Sequence, residues 1–269
     1  MCVLGQVVLL FDIDGTLLST KAGRTALEMA IADSTGIARP DCNVDFAGRT
    51  DRSIVRELFL RNSITWSESQ FGLVRDRYLE LFPDLMRQQG AVLLPGVRKL
   101  LESLQHIHGV TLNAMTGNFC ESGWQKLKHF KLDLYFEHVF GGGEDLHRDD
   151  LAKRARDSIL DPCGDDLNSE SFGGQWTGNV EVTGCGTKGH GDGVERHESK
   201  KTVSDSTQFV VVGDTVADIR CAKAINARSI AVLTGGVDAD ELYAAKPDRI
   251  FVDLSDTQSV VKELLGSLG

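Results

Sequence analysis

The chain has 269 residues, 41% of them hydrophobic, which is enough to bury the core of one or two globular domains. Its formal net charge of -10 excludes a general binding surface for nucleic acids or anionic membranes, because neither polyanion would be attracted to it. The N-terminal segment carries no basic region, and its apolar run stops at Asp12. We therefore expect neither a signal peptide nor a membrane-spanning helix in this segment, and the predicted compartment is the cytoplasm.

The first predicted element is a buried strand, QVVLLF at 6–11, which two carboxylates follow directly. The side chains of Asp12 and Asp14 are expected to point the same way, and Gly15 allows the backbone to turn there. An Asp-Gly turn at a strand end is common without any function. Two carboxylates that point the same way can instead supply a nucleophile, an acid or base, and ligands for a metal ion.

About 90 residues separate this strand from the next, far more than one crossover helix needs. Helical periodicity recurs there at 21–33, 51–61, 67–88 and 96–106. We interpret the first three of these helices as a small helical cap domain over residues 19–92, able to exclude water from a strand-end site. Within it, AGRTDRS offers Arg49 as a side chain that reaches the substrate, or only a helix N-cap at Thr50 or Asp51.

The later predicted strands are VTLNAM (110–115), FEHVF (136–140), QFVVVG (208–213), SIAVLTG (229–235) and RIFV (249–252). Helical patterns separate most of them, so we expect a parallel, Rossmann-like α/β sheet with helices on both faces. This core domain would comprise residues 1–18 and 93–269. Ligands of such sheets bind at the carboxyl ends of strands, where Asp12, Thr116 and Asp214 are predicted to lie.

Two of these strand ends carry further polar residues. Thr116, Gly117 and Asn118 stand where a strand enters a helix, so a hydroxyl and free helix-start N–H groups would form an anion cradle, unless Thr116 is only an N-cap. Asp214 and Asp218 are four residues apart on one helix face, where like charges repel and a nearby cation would explain the pair. Asp214 could equally be only an N-cap.

The carboxylates at these strand ends are hard oxygen donors, which favour Mg²⁺ over zinc or copper. Residues 159–206 differ from the rest of the chain, because they are rich in Gly, Ser and charge and show no sustained periodicity. This composition predicts a disordered insertion within the core domain.

Three motifs in order, DIDGT at 12–16, the threonine of MTGN at 116 and GDTVAD at 213–218, resemble the haloacid dehalogenase superfamily of phosphotransferases. GRTDR in the cap, TGNF followed by KLKHFKLDLYF (126–136), and LTGG with DADEL (233–242) are most similar to its phosphoglycolate-phosphatase-like branch with a helical cap. The resemblance covers nearly the whole chain outside 159–206.

This resemblance implies an aspartyl-phosphate mechanism. Asp12 would attack phosphorus, while Asp14 would protonate the leaving oxygen and later take a proton from the hydrolytic water. One oxygen of Asp12, the backbone carbonyl of Asp14 and Asp214 would hold Mg²⁺, with Asp218 in support.

The phosphoryl oxygens would be bound by Thr116 and by the amides of Ile13, Gly117 and Asn118. The third family motif departs from the pattern, because the expected Lys after the third core strand is absent from GGGEDLHRDDLAKRAR. Arg148 stands at the matching offset and could clamp phosphate with a bidentate fork. Lys153 is the second candidate for the clamp, and either residue could be a solvated helix charge.

The function expected from these residues is a Mg²⁺-dependent phosphatase of a small, phosphoglycolate-like phosphate monoester. The alternatives are a phosphomutase of the same superfamily and a non-catalytic binding or regulatory protein on the same scaffold. Asp14 argues against a dehalogenase, which needs no acid for its leaving group. The expected partner is a small phosphorylated metabolite, not a nucleic acid or a membrane.

Overall fold

A computed structural model of the chain describes residues 6–161 and 207–266. The strands are β1 (Val7–Phe11), β2 (Leu18–Thr20), β3 (Ala91–Leu93), β4 (Val110–Thr116), β5 (His138–Gly141), β6 (Gln208–Gly213), β7 (Arg228–Val232) and β8 (Arg249–Phe251). The helices are α1 (Ala22–Thr35), α2 (Asp51–Arg61), α3 (Glu68–Gln89), α4 (Val97–Leu104), α5 (Cys120–His129), α6 (Arg148–Leu160), α7 (Val216–Ala224), α8 (Ala239–Ala244) and α9 (Thr257–Leu265). The predicted insertion at 159–206 lies outside the described residues, except that its first residues complete α6 and its C-cap.

Six strands form one parallel sheet in the order β5-β4-β1-β6-β7-β8, which confirms the predicted α/β fold. Strand β1 lies at the centre, where Phe11 is opposite Ala114 of β4 and Val212 of β6. The strand order changes direction at β1, and ligands bind at such a switch point in open α/β sheets. The residues that follow β1, β4 and β6 therefore share one edge of the sheet.

Helices cover both faces of the sheet, and this explains the unbroken apolar run of β1. Val7, Leu9 and Phe11 are buried in a cluster with residues of α4, α5 and α9. Val8 and Leu10 are buried in a second cluster with residues of α6 and α7. A strand that is buried on both faces needs apolar side chains at every position rather than at alternate ones.

Helices α1, α2 and α3 supply most of a separate apolar cluster, to which Phe119 of the core also contributes. The short strands β2 and β3 pair antiparallel, with Leu18 opposite Leu93. The chain from α1 to α3 between them, called the helical segment below, therefore starts and ends at two adjacent strands. Sequence patterns missed both strands because each has only three residues. The division at 19–92 stays a prediction, which the separate cluster supports.

Strand β7 ends at Val232, earlier than the predicted 229–235, because the chain then turns toward the end of β1. There the Thr234 hydroxyl donates a hydrogen bond to the Gly15 carbonyl at 2.6 Å. None of the helices in the described part of the chain is long and apolar enough to cross a lipid bilayer.

Candidate active site

A cavity of about 900 Å³ lies at the carboxyl ends of the central strands, between residues of the sheet and residues of the helical segment. The predicted site residues that line it are Asp12, Asp14, Arg49, Thr116, Gly117, Asn118, Arg148 and Asp214. Five further polar residues, which come from both predicted domains, also line the cavity: Lys21, Arg24, Asp51, Lys126 and Thr234. The cavity thus brings together polar residues that are far apart in sequence.

The turn after β1 determines where Asp214 lies. Gly15 has a φ of +86°, and a Cβ there would be 2.3 Å from Asp214 Oδ2, so a larger residue would displace that carboxylate. The Thr16 hydroxyl donates to Asp214 Oδ1 at 3.1 Å. The Asp-Gly turn therefore serves both to reverse the backbone and to seat a carboxylate from β6.

Three buried carboxylates, those of Asp12, Asp214 and Asp218, each place an oxygen within 4.8 Å of the others. Burial, followed by the nearby charge of Asp218, raises the pKa of Asp12 well above its ordinary value and that of Asp214 to about 7. A buried cluster of like charges needs a cation. Since all the donors are hard oxygens, the cluster fits Mg²⁺, as the sequence predicts.

Arg148, the first residue of α6, supplies one cation to this cluster and is only 5% exposed. Its Nη2 donates to Asp12 Oδ1 at 3.0 Å and also to Asp218 Oδ1. Burial alone would lower the pKa of Arg148, but Asp218 and Asp12 outweigh it and keep the guanidinium protonated. Both contacts use one nitrogen, and Nε has no hydrogen-bond partner among the described residues. The bidentate clamp on phosphate stays a prediction.

Lys153, the second candidate for the clamp, does not line the cavity. Its side chain is 56% exposed and pairs with Asp150 at 3.2 Å on the surface of α6. Of the two predicted candidates, the structure brings only Arg148 to the carboxylates.

Asp218 has a second role at the start of α7. Its Oδ2 accepts hydrogen bonds from the Thr215 N–H at 3.1 Å and the Thr215 hydroxyl at 2.6 Å, while the Thr215 side chain caps the Asp218 N–H. The N-cap of this helix is therefore Thr215 rather than Asp214. This leaves the carboxylate of Asp214 in the wall of the cavity.

Two amides of the loop after β4 are engaged within the protein, and one of them, the Asn118 amide, belongs to the predicted anion cradle. The Asn118 N–H donates to Thr116 Oγ1 at 3.2 Å, and the Phe119 N–H donates to Asp51 Oδ2 at 2.7 Å. A Cβ at Gly117 would be 1.9 Å from the Arg49 carbonyl oxygen, so only glycine fits this close approach. This loop therefore lies in direct contact with the helical segment.

The segment at Thr50 and Asp51 docks onto this loop. Thr50 is the N-cap of α2, which confirms the structural interpretation of AGRTDRS, and the Asp51 N–H donates to the Gly117 carbonyl at 2.7 Å. Burial raises the pKa of Asp51 to about 6, although the Phe119 N–H and Lys126 oppose this. The ring of Phe119 continues the contact at 5.3 Å from the ring of Tyr78 in α3.

Arg49 lines the cavity, but its guanidinium is held within the helical segment. It pairs with Glu57 at 2.5 Å and donates to the Ser53 carbonyl at 3.0 Å. Its predicted reach to the substrate stays a prediction, for which these two contacts would have to loosen.

Sequence reasoning missed Lys126, which is buried in the wall of the cavity. Its Nζ donates to Asp14 Oδ2 and to Asn118 Oδ1, each at 2.5 Å. A signal was available, because Lys126 falls on the same face of α5 as the buried Ser122 and Gly123. A lysine on the buried face of an amphipathic helix needs a partner.

The raised pKa values predict how stability depends on pH without metal. Asp214, with a folded pKa of about 7, holds a proton between pH 5 and 7 that the unfolded chain has released, so this group's contribution to stability falls as pH rises. The slope for one such group is at most about 1.4 kcal/mol per pH unit. Urea unfolding in EDTA should therefore show a flatter pH dependence for Asp214→Asn than for the unsubstituted protein. If stability changed with pH in the same way in both proteins, the raised pKa assigned to Asp214 would be contradicted.

Two family models match the chain. A haloacid dehalogenase-like hydrolase model covers residues 9–151, just over half of the sequence, and a HAD-hydrolase-like model covers residues 194–257. No curated protein matches this sequence closely enough to show a relationship.

Solved structures with a similar fold include three bacterial proteins at low sequence identity. A protein described as a predicted phosphatase from Clostridium acetobutylicum is 20% identical with a TM-score of 0.58, over 96% of this chain and 99% of that chain. CbbY from Rhodobacter sphaeroides in complex with phosphate is 17% identical with a TM-score of 0.59, over 93% and 95%. A predicted phosphoglycolate phosphatase from Haemophilus somnus 129pt is 17% identical with a TM-score of 0.55, over 97% and 100%.

Proposed function

The chain belongs to the haloacid dehalogenase-like hydrolase family, and on that premise we propose that it is a Mg²⁺-dependent phosphatase acting on a small phosphate monoester. The observation that carries the proposal is the buried cluster of Asp12, Asp214 and Asp218, of which Asp12 and Asp214 line one cavity together with Asp14. A candidate nucleophile, a candidate cation-binding site and a candidate acid or base thus lie close together at the end of β1.

In the proposed reaction an Asp12 oxygen attacks phosphorus, and the bond between phosphorus and the ester oxygen breaks. Asp14 gives its proton to that oxygen, so the alcohol leaves neutral. Water then attacks the phosphorus of the aspartyl phosphate, and Asp14 takes the proton that the water loses. Phosphate leaves and the Asp12 carboxylate is regenerated.

The residues that would hold Mg²⁺ are Asp12, Asp214 and Asp218 with the backbone carbonyl of Asp14. Bound there, the ion would offset the repulsion between these carboxylates and a phosphate dianion. At about 4 Å each pair of unit charges repels by about 1 kcal/mol in water and about 4 kcal/mol at an effective dielectric of 20. Arg148 and Lys126 already supply positive charge at the same site.

The cavity supports a phosphorylated metabolite as substrate. Its volume of about 900 Å³ is within the range of small-molecule sites and leaves room for esters larger than phosphoglycolate. Lys21 and Arg24 of the helical segment also line it and could meet a second anionic or polar group of the substrate.

The proposal predicts metal-dependent phosphate release. p-Nitrophenyl phosphate and a panel of sugar, glycerol, nucleoside and glycolate phosphates should be hydrolysed in Mg²⁺ and at a rate at least about 10²-fold lower in EDTA. Equal rates in the two buffers would contradict the proposed metal. A folded protein that releases phosphate from no ester would favour the phosphomutase or the non-catalytic alternative.

A further inference from the structure

We propose that Lys126 is a positioning residue, which holds one oxygen of Asp14 and thereby presents the other oxygen to the substrate for proton transfer. The inference rests on the proposed phosphatase function, in which Asp14 is the acid and base. Lys126 is buried, its ammonium is held by hydrogen bonds to two residues, and an ammonium can only donate hydrogen bonds.

The first observation is that Lys126 is fixed by its surroundings. Its side chain is 2% exposed, and Nζ lies 5.5 Å from the centre of the Phe82 ring. Burying an ammonium is unfavourable unless it is paired and hydrogen-bonded. The 2.5 Å contacts to Asp14 and Asn118 supply that pairing.

The second observation is that Asn118 is itself held from two sides. Its Oδ1 accepts from the Thr116 hydroxyl at 3.1 Å, and its Nδ2 donates to Asp51 Oδ1 at 3.4 Å. Asp51 in turn accepts from the Phe119 N–H at 2.7 Å. The ammonium of Lys126 is therefore positioned by a chain of contacts that runs from the docked helical segment to the end of β4.

Asp14 is the less constrained partner of this pair, because its side chain is 38% exposed at the wall of the cavity. An exposed carboxyl group can rotate and offer its proton in several directions, and a proton transfer needs one direction. The contact from Lys126 to Oδ2 removes most of that freedom. Oδ1 is then the oxygen left to face the leaving group.

The chemistry of the ammonium makes this arrangement selective. A lysine ammonium has three donors and no acceptor, and the unprotonated oxygen of a carboxylic acid accepts a hydrogen bond more strongly than the hydroxyl oxygen does. Beside Lys126, the proton of Asp14 is therefore expected on Oδ1. As the ester bond breaks, the Oδ1 proton moves to the departing oxygen, and in the second step Oδ1 takes a proton from water.

The test compares Lys126→Met with Lys128→Met, an exposed lysine two residues along the same helix. First-turnover rates are measured on two probes, 2,4-dinitrophenyl phosphate and the alkyl phosphate hydrolysed fastest in the panel. An alkoxide needs a proton to leave and dinitrophenolate does not. The first-turnover rate of Lys126→Met should therefore fall by about 10²-fold or more on the alkyl phosphate and by less than about tenfold on the dinitrophenyl ester.

Lys126→Met should also release one equivalent of dinitrophenolate in a burst, because hydrolysis of the aspartyl phosphate still needs Asp14 as a base. Lys128→Met should match the unsubstituted protein on both probes. Equal losses on the two probes, or no loss on either, would overturn the inference. Because Asp14 is partly exposed, it stays hydrated when its partner is removed, and we expect the variant to fold.

A second variant, Lys126→Gln, retains a donor without the charge and should show a smaller difference between the two probes. It also serves as the test if the methionine variant does not fold, since a loss confined to the alkyl phosphate is again the expected result. No turnover by the unsubstituted protein would overturn the proposed function together with this inference. If the unsubstituted protein turns over both probes and the Lys126 variants lower both rates equally, the inference is overturned and the proposed function stands.

Discussion

Asp12→Asn is expected to abolish phosphate release, by at least about 10³-fold, because an amide oxygen is a poor nucleophile toward phosphorus. The fold should remain intact. Asp12 is buried and its pKa is raised, so the substitution removes a charge that the folded protein accommodates at a cost. Its Oδ1 can still accept the hydrogen bond that Arg148 donates.

The measurement is phosphate release in Mg²⁺ together with thermal unfolding of the same preparations. Asp240→Asn, at an exposed position in α8, is the matched control and should keep its activity. The phosphoenzyme expected on brief exposure of the unsubstituted protein to labelled substrate should be missing from Asp12→Asn. A variant that keeps more than a few per cent of the activity would exclude Asp12 as the nucleophile.

Arg148→Met is expected to lower both stability and turnover. The substitution leaves Asp12 and Asp218 buried without their shared cation, and breaking a buried ion pair typically costs about 3–5 kcal/mol. Addition of Mg²⁺ should restore part of that loss, because a cation at the carboxylates replaces the missing charge. Turnover in saturating Mg²⁺ should fall by about 10²-fold or more, since a fixed positive charge beside the nucleophile is lost.

Arg148→Lys distinguishes the charge from the shape of the guanidinium. Both contacts of Arg148 use Nη2, so an ammonium at that place can make them, and activity should stay within about tenfold. Lys153→Met on the same helix is the control and should change the free energy of unfolding by no more than about 0.5 kcal/mol. An Arg148→Met protein as stable and as active as the unsubstituted one would contradict the role assigned to this residue.

The strand-end residues could be predicted from the sequence because each follows a buried apolar run directly. Asp12 and Asp214 come directly after β1 and β6, Thr116 is the last residue of β4, and parallel strands bring their carboxyl ends to one edge. The alternation of strands and helices likewise predicts the sheet, since a crossover helix must separate parallel neighbours. Local pattern and topology were enough for these parts of the molecule.

Contacts between distant segments could not be predicted in this way. Asp51 accepts a hydrogen bond from the Phe119 N–H, next to the Asn118 amide that the sequence assigned to an anion, and Lys126 reaches Asp14 across more than 100 residues. Neither contact has a fixed spacing in the chain, because each depends on how the helical segment and α5 pack against the sheet. The pairing of β2 with β3 was missed for a different reason, since three-residue strands show no measurable alternation.

The pairing of β2 with β3 also bears on how proteins of this architecture could diversify. Because Leu18 and Leu93 are opposite each other, the chain enters and leaves the helical segment through two adjacent strands. A helical segment of another length or sequence can therefore be exchanged between these two points without shifting β1 or the carboxylates that follow it. Substrate preference can evolve, or be engineered by segment transplantation, separately from the chemistry at the end of the central strand.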